Sequence, residues 1–303
     1  MRALESIKNI MTKSNIARKI SNKCIAKFNR RRGVMAVEIN SNHGFGAKLE
    51  WALEIMAFCE ENSLTPQFKF TYPDSKKGED YFGSFFRINT NVSKSNSLGY
   101  IKIGSIGELG LNKNYDEVLD VKLACHLINK YLVVKDDVKR EVDDFCSKHF
   151  SKRVLGLHYR GTDKVSEALA VSYERVERNI NFYLEKFPET DSVFISSDDE
   201  NFITYAKNWS IKCPIIYRND SFRSMDNEAI HFSGQNKSDI NRDAIINCLI
   251  LSRCDALMKM ASILSAWSKL FNPNSPLIML NEPFNNWFPE REFVNNVLYQ
   301  PIQ

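Results

Sequence analysis

The amino-acid sequence predicts an α/β protein built on parallel sheet, and three observations carry that expectation. From residue 153 to 280 short apolar runs alternate with amphipathic helical stretches, the pattern of strands joined by crossover helices. Residues 34–61 show the same order: an apolar run, a glycine-containing turn and a long helical stretch. In RVLGLHYRGTDKV, residues 153–165, a buried-type strand ends in His158, Arg160, Thr162, Asp163 and Lys164, and the carboxyl edge of a parallel sheet is where α/β proteins bind ligands. An Arg160 to Asp163 ion pair tying down a surface turn is the plainer reading of that cluster.

The elements follow in order. Residues 1–33 carry ten Lys or Arg against the single acid Glu5, and Leu4, Ile7, Met11, Ile16, Ile20, Cys24 and Phe28 recur at helical intervals. Such a basic amphipathic stretch suits an anionic membrane surface, and equally a solvated helix packed on the body. Gly33 ends it. Val34 to Ile39 reads as a strand, Asn40 to Gly46 (NSNHGFG) as a turn, and Ala47 to Glu61 as an apolar helix. This is an order used by nucleotide- and substrate-binding units, although the pair Gly44 and Gly46 serves any tight turn. Thr65 to Gly110 is irregular, with aromatic-rich pieces, strands and long loops; Tyr115 to Lys130 and Asp136 to His149 have helical periodicity. We place a domain boundary near 150, giving 1–33, 34–150, 151–282 and a tail 283–303 that packs back on the N-terminal domain.

Beyond the boundary, strands are expected at 153–158, 192–196, 214–217, 255–258 and 276–280, with helices near 172–186, 200–208, 242–252 and 262–271. Tyr173, Val176, Ile180, Tyr183 and Phe187 give the first of these helices one apolar face. The set describes a parallel, Rossmann-like sheet.

Composition bounds the function. At 303 residues, 43% of them hydrophobic, the chain accommodates two domains of about 150 residues each. No apolar run reaches the roughly 18 residues of a membrane span, nor is there a secretory apolar core, which points to the cytosol. Seven scattered cysteines without CxxC spacing read as reduced thiols and not as a zinc site or disulfide frame. The net charge of +4 conceals a basic N-terminus on a body of net −5, since 31 basic and 36 acidic residues remain beyond residue 33. A nucleic-acid binder spreads its cations over the folded body, so nucleic acid is not expected as a partner.

Three strand ends carry polar groups that a parallel sheet opens on one side. They are His158, Arg160, Asp163 and Lys164; Ser196, Ser197, Asp198 and Asp199; and Ser262 and Ser265. A guanidinium at Arg160 suits bidentate phosphate binding. Ser262 and Ser265 at a helix start suit a second phosphate contact, and Asp198 or Asp199 suits a ribose or purine edge. Helix capping explains Ser197, Asp198 and Ser262 one at a time.

HYRGTDKV resembles the HxRRxDK segment of the fucosyltransferase superfamily, which comprises α1,6-, nodulation, α1,2- and protein O-fucosyltransferases. FISSDDENFITYAK, INRDAIINCLILSRCDALMKMASILSAWSKLFNP and NHGFGAKLEWAL resemble further segments of that superfamily. The resemblance covers most of 153–275 and a patch near 40–53. It implies a GT-B architecture, two Rossmann-like domains facing across a cleft, and an inverting, metal-independent transfer of fucose from GDP-fucose to a glycan acceptor. It implies no cofactor beyond that nucleotide-sugar donor. It also implies donor contacts at His158, Arg160, Asp163, Lys164, Asp198, Asp199, Asn247, Ser262 and Ser265, with Arg160 on the diphosphate. Two positions depart from the pattern. Gly161 replaces a second arginine, and Asn247 stands where α1,6 members carry an aspartate, so another nucleotide sugar remains an alternative, as does a noncatalytic glycan- or nucleotide-binding protein. Inversion requires a base for the acceptor hydroxyl; Glu167 and His43 are the two candidates. The setting expected is surface polysaccharide or glycolipid synthesis in the cytoplasm, with peripheral contact of residues 1–33 at the inner face of the membrane.

Overall fold

A computed structural model describes residues 18–76, 78–89, 97–161, 168–225 and 236–294. The basic segment enters it as helix α1, residues 18–31, and Gly33, at φ 69°, turns the chain into the first strand. The N-terminal half then runs β1 (Val34–Asn40), α2 (Phe45–Glu61), β2 (Thr65–Thr71), α3 (Tyr81–Phe85), β3 (Phe86–Ile88), β4 (Ile101–Ile103), α4 (Val121–Tyr131), β5 (Leu132–Val134) and α5 (Asp136–His149). Strands β2, β1 and β4 form a parallel sheet in that order, while β3 and β5 pair antiparallel. The stretch after Thr65 is more regular than its composition suggests: TPQFKFT alternates in burial and pairs along the whole length of β1, as half-buried strands do.

The second half is the alternating series read from the sequence: β6 (Val154–Tyr159), α6 (Tyr173–Lys186), β7 (Ser192–Ser197), α7 (Glu200–Ala206), β8 (Ile215–Ile216), α8 (Lys237–Leu251), β9 (Ala256–Lys259), α9 (Ile263–Phe271), β10 (Leu277–Met279) and α10 (Glu290–Phe293). Its five strands lie parallel in the order β10-β9-β6-β7-β8. Helix α8 begins five residues earlier than periodicity indicates, because Asn236 caps it through the Ser238 amide and its polar first turn hides the helix from an apolar-period reading.

The two halves share apolar packing. Ile245, Cys248 and Leu249 of α8 and Ala266, Trp267 and Leu270 of α9 sit in one core with Leu49, Leu53 and Met56 of α2. A second core, with Leu155, Val193, Ile180 and Phe202, fills the far face of the five-stranded sheet. Residues 283–294 return to the N-terminal half, where Arg291 binds the Asp116 carboxylate at 2.8 Å and the Leu119 carbonyl at 2.9 Å. No helix among the described residues is long and apolar enough to cross a membrane.

Candidate active site

The carboxyl ends of β6 and β7 and the start of α9 open on a cleft of about 590 Å³, whose opposite wall is the turn before α2. Its lining brings together His43, Gly44, Gly46, His158, Arg160, Asp198, Asn247 and Ser262 of the residues read from the sequence. Asp163, Lys164 and Glu167 lie outside the described residues.

Parallel pairing sets His158 beside Ser196 and Tyr159 beside Ser197, so the residues that follow leave the sheet together. The Arg160 Nε lies 3.4 Å from Asp198 Oδ2, and the Gly161 amide donates to Asp198 Oδ1 at 3.1 Å. One carboxylate thereby orients both the guanidinium and the backbone carrying it. Asp199 has a different position. It is 2% exposed, caps α7 through the amides of Asn201 and Phe202, and accepts the Tyr173 hydroxyl at 2.6 Å. The cap expected at Asp198 thus falls on Asp199, which is enclosed behind the cleft wall.

Gly161 has a packing reason. A Cβ there would lie 2.4 Å from Asp199 Oδ2 and 2.8 Å from Asp199 Cβ. Three hydrogen bonds hold that side chain in place, so the position that a second arginine would occupy has no room for any side chain.

Ser262 and Ser265 separate in the same way. Ser262 stands at the N-cap of α9, yet its hydroxyl makes no capping bond and lines the cleft. Ser265 is fully buried, its hydroxyl donating to the Ser262 carbonyl inside the helix, and it does not line the cleft. Beneath Ser262, Glu290 Oε1 accepts from its amide at 2.9 Å and from Lys259 Nζ at 2.6 Å.

Another wall comes from α8 and the chain before it. Asp243 accepts from Arg218, the Ser221 hydroxyl, the Phe222 amide and Asn247 Nδ2. Burial pushes its carboxyl above the usual range against the pull of Arg218. Asn247 donates its amide hydrogens to Asp243 and to the Ser221 hydroxyl, and it lines the cleft.

On the N-terminal wall, His43 Nδ1 lies 2.6 Å from the Ser41 hydroxyl and its ring leans on Trp51. This leaves Nε2 for the cleft. Gly46 lets α2 approach α9 closely: a Cβ there would meet Ile263 and Leu264 at 3.4 Å. Two residues further, Lys48 is fully buried, bonds the Thr71 carbonyl at 2.8 Å and lies 3.4 Å over the Tyr72 ring. Burial, then the nearby Lys237, lowers it to about 7. Tyr72 crosses to the other half, its hydroxyl donating to Asn241 at 3.1 Å. Behind this wall Glu50 is pushed up to about 9 by burial and then by Asp116, Glu54 and Glu290.

Sequence reasoning missed Ser41, Tyr72, Asn241, Asp243 and Trp287. Asn247 did leave a trace, as a polar residue within the apolar run Ala244–Leu251 of α8, whereas Asn241 and Asp243 belong to its polar first half. Trp287, 53% exposed on the cleft rim, left none. Among the described residues no group of three or more His, Cys, Asp or Glu is arranged to hold a metal ion.

No protein-family model matches the chain, and no curated protein matches it. Solved structures do. NodZ α1,6-fucosyltransferase co-crystallised with GDP superposes with a TM-score of 0.51 at 13% identity, covering 81% of this chain and 94% of that one. The same enzyme soaked with GDP-fucose gives 0.50 at 12%, with the same coverage. POFUT1 in complex with GDP gives 0.50 at 11%, covering 80% of this chain and 98% of that one. The likeness establishes the fold: this chain has the GT-B architecture expected from its motifs.

Proposed function

We propose that this protein is an inverting glycosyltransferase that moves fucose from GDP-fucose to a glycan acceptor, without a metal ion. The observation that carries the reading is Arg160, held by Asp198 at the end of β6 on the cleft wall, in a fold shared with fucosyltransferases solved with GDP and GDP-fucose. In this reading the guanidinium, with Lys164, faces the donor diphosphate and offsets the charge that grows as the anomeric C–O bond breaks. Asp163 supports it. Asn247 and Asp198 contact the nucleoside, and Ser262 a phosphate oxygen. Asp199 and Ser265 serve by holding α7 and α9.

The acceptor approaches from the N-terminal wall, residues 34–150. Of the two candidate bases, His43 has the geometry on its side: Ser41 stands 2.6 Å from Nδ1, and in the tautomer that donates Nδ1–H to that hydroxyl, Nε2 carries the lone pair that takes the acceptor's proton as its oxygen attacks the anomeric carbon. Glu167 remains the second candidate. Acceptors are surface polysaccharide or glycolipid precursors, made on the cytoplasmic side of a membrane.

Arg160→Ala tests the reading. Transfer falls by about 10²–10³-fold, the range for removal of one preorganised charge-stabilising group, while the melting temperature stays near that of the parent. Full activity in that variant overturns the donor-site assignment. A second reading, another nucleotide sugar on the same fold, is favoured by Asn247 and by the closed space at Gly161. A nucleotide panel read by thermal stabilisation separates them, since a ligand at about 100 times its Kd adds roughly 2.7 kcal/mol. Donor hydrolysis without acceptor distinguishes either from a noncatalytic binding protein.

A further inference from the structure

Helix α1 is attached by its polar side. Asn22 Nδ2 donates to the Lys102 carbonyl at 2.9 Å and its Oδ1 accepts the Lys102 amide at 3.2 Å. Seven residues on, Asn29 bonds the Gly99 carbonyl and the Leu98 amide, both at 2.9 Å. These two side chains engage the backbone of β4 and its approach, on the edge of the three-stranded sheet, where strand N–H and C=O groups would otherwise be open. Ile25 fills in against Gly99, where an added Cβ would lie 3.6 Å away.

At about 100° per residue, Ile20 lies about 200° around the helix from Asn22, so Ile20, Cys24, Lys27 and Arg31 point away from the body. Ile20 is 60% and Phe28 41% exposed, and Leu98, beside the Asn29 clamp, is 63% exposed. All seven cations of residues 18–32 are exposed, with no acid among them; Arg18 reaches Glu108 and Arg30 leans on Phe58. A helix whose apolar residues served the core would bury them. Here Ile25 and Ala26 pack against the core beside the two asparagine clamps, while Ile20 and Phe28 stay outside and share the outer face with the cations.

We propose that the outer face of α1, with Leu98, is a docking surface for an anionic lipid bilayer, Ile20 and Phe28 entering the headgroup boundary and Lys23, Lys27 and Arg31 meeting anionic headgroups. Charge complementarity selects this occupant: an apolar stripe flanked by cations alone fits an apolar layer bearing negative groups. The inference rests on and deepens the reading of the acceptor as membrane-linked.

The test is co-sedimentation of the full chain with vesicles. Binding to vesicles of 30 mol% phosphatidylglycerol in phosphatidylcholine is expected at least about 10-fold above binding to pure phosphatidylcholine, with loss at about 0.5 M NaCl. Lys27→Glu/Arg31→Glu lowers the partition coefficient at least about 10-fold, given a factor of roughly five for each headgroup-facing cation removed, and, separately, Ile20→Glu/Phe28→Glu lowers it at least about 10-fold by withdrawing two apolar side chains from the headgroup boundary. Both pairs are exposed, and a melting temperature near that of the parent checks that each variant is folded. Equal binding to the two vesicle types, or unchanged binding by both variants, overturns the proposal. So does a wild-type dimer that Ile20→Glu/Phe28→Glu converts to monomer without loss of vesicle binding, since the occupant is then a second copy. GDP stabilisation with no vesicle binding sinks the membrane surface alone; vesicle binding without GDP stabilisation sinks the donor reading alone.

Discussion

Two ion pairs stand at adjacent strand ends of one sheet and have opposite surroundings. Arg160–Asp198, at the ends of β6 and β7, keeps 20% and 15% of its side chains exposed and opens on the cleft. Lys259–Glu290, at the end of neighbouring β9, is 0% and 7% exposed, with the Glu290 carboxylate also holding the Ser262 amide. The first pair leaves a cation where a ligand can reach it. The second is sealed by the returning C-terminal segment, whose next residue, Arg291, clamps Asp116 of the other half. Charge at the carboxyl edge of a parallel sheet is therefore divided between binding and holding the two halves, and burial decides which.

The largest effect follows from breaking the sealed pair. Lys259→Met leaves Glu290 buried without its counter-charge, and stability falls by roughly 3–5 kcal/mol. Equilibrium urea unfolding measures it. Lys259→Met/Glu290→Met restores much of that loss, because replacing a buried pair by apolar residues is near neutral. A neutral single variant ends the contrast between the two pairs.

A second break uses pH. Glu50 is 8% exposed, and its folded form holds its proton up to about 9 where an ordinary glutamate titrates near 4.5. Between those values the folded chain binds more protons than the unfolded one, so stability falls as pH rises. Glu54, raised to about 7 by burial and then Asp116, acts in the same direction. Glu50→Gln removes its own share: the variant gains on the parent by roughly 4 kcal/mol between pH 5 and pH 8, read from urea midpoints at the two pH values. A constant gap removes Glu290 and Asp116 as sources of an acidic field at the seam.

The sequence carried most of the second half, because each strand from Val154 to Met279 is a short apolar run between polar turns and each helix but α8 keeps an apolar period. It carried less of the site. Arg160 and Asp198 were legible since both follow strand ends, and strand ends of a parallel sheet share an edge. Asp199 against Asp198, and Ser265 against Ser262, were not, because neighbours of one type differ only in which way the chain turns after the strand. Lys48, Tyr72 and Asn241 were invisible for another reason: they meet across 169 residues, from Tyr72 to Asn241, at the seam between halves, and no local pattern encodes such a meeting. The basic segment was half legible. Its helical period was plain, but the side it presents depends on two asparagines binding an edge strand.

The smallest expected effect sharpens the open pair. Gly161 follows Arg160, donates its amide to Asp198, and has no space for a Cβ because Asp199 stands 2.4 Å from where one would be. Asp199 cannot turn aside without giving up the α7 cap and the Tyr173 hydroxyl. Gly161→Ala therefore moves the Arg160 backbone, at about 1–3 kcal/mol of stability, the range for overpacking a filled site. The guanidinium leaves its place over Asp198, so donor affinity weakens more than thermal stability alone indicates. Gly161→Ala/Asp199→Gly separates the causes: it opens the space, restores donor affinity measured by calorimetry, and still lacks the cap, worth about 1 kcal/mol. If the double variant binds donor no better than the single, the position of Arg160 is set by something other than Asp199, and the open pair owes its geometry to the Asp198 contact alone.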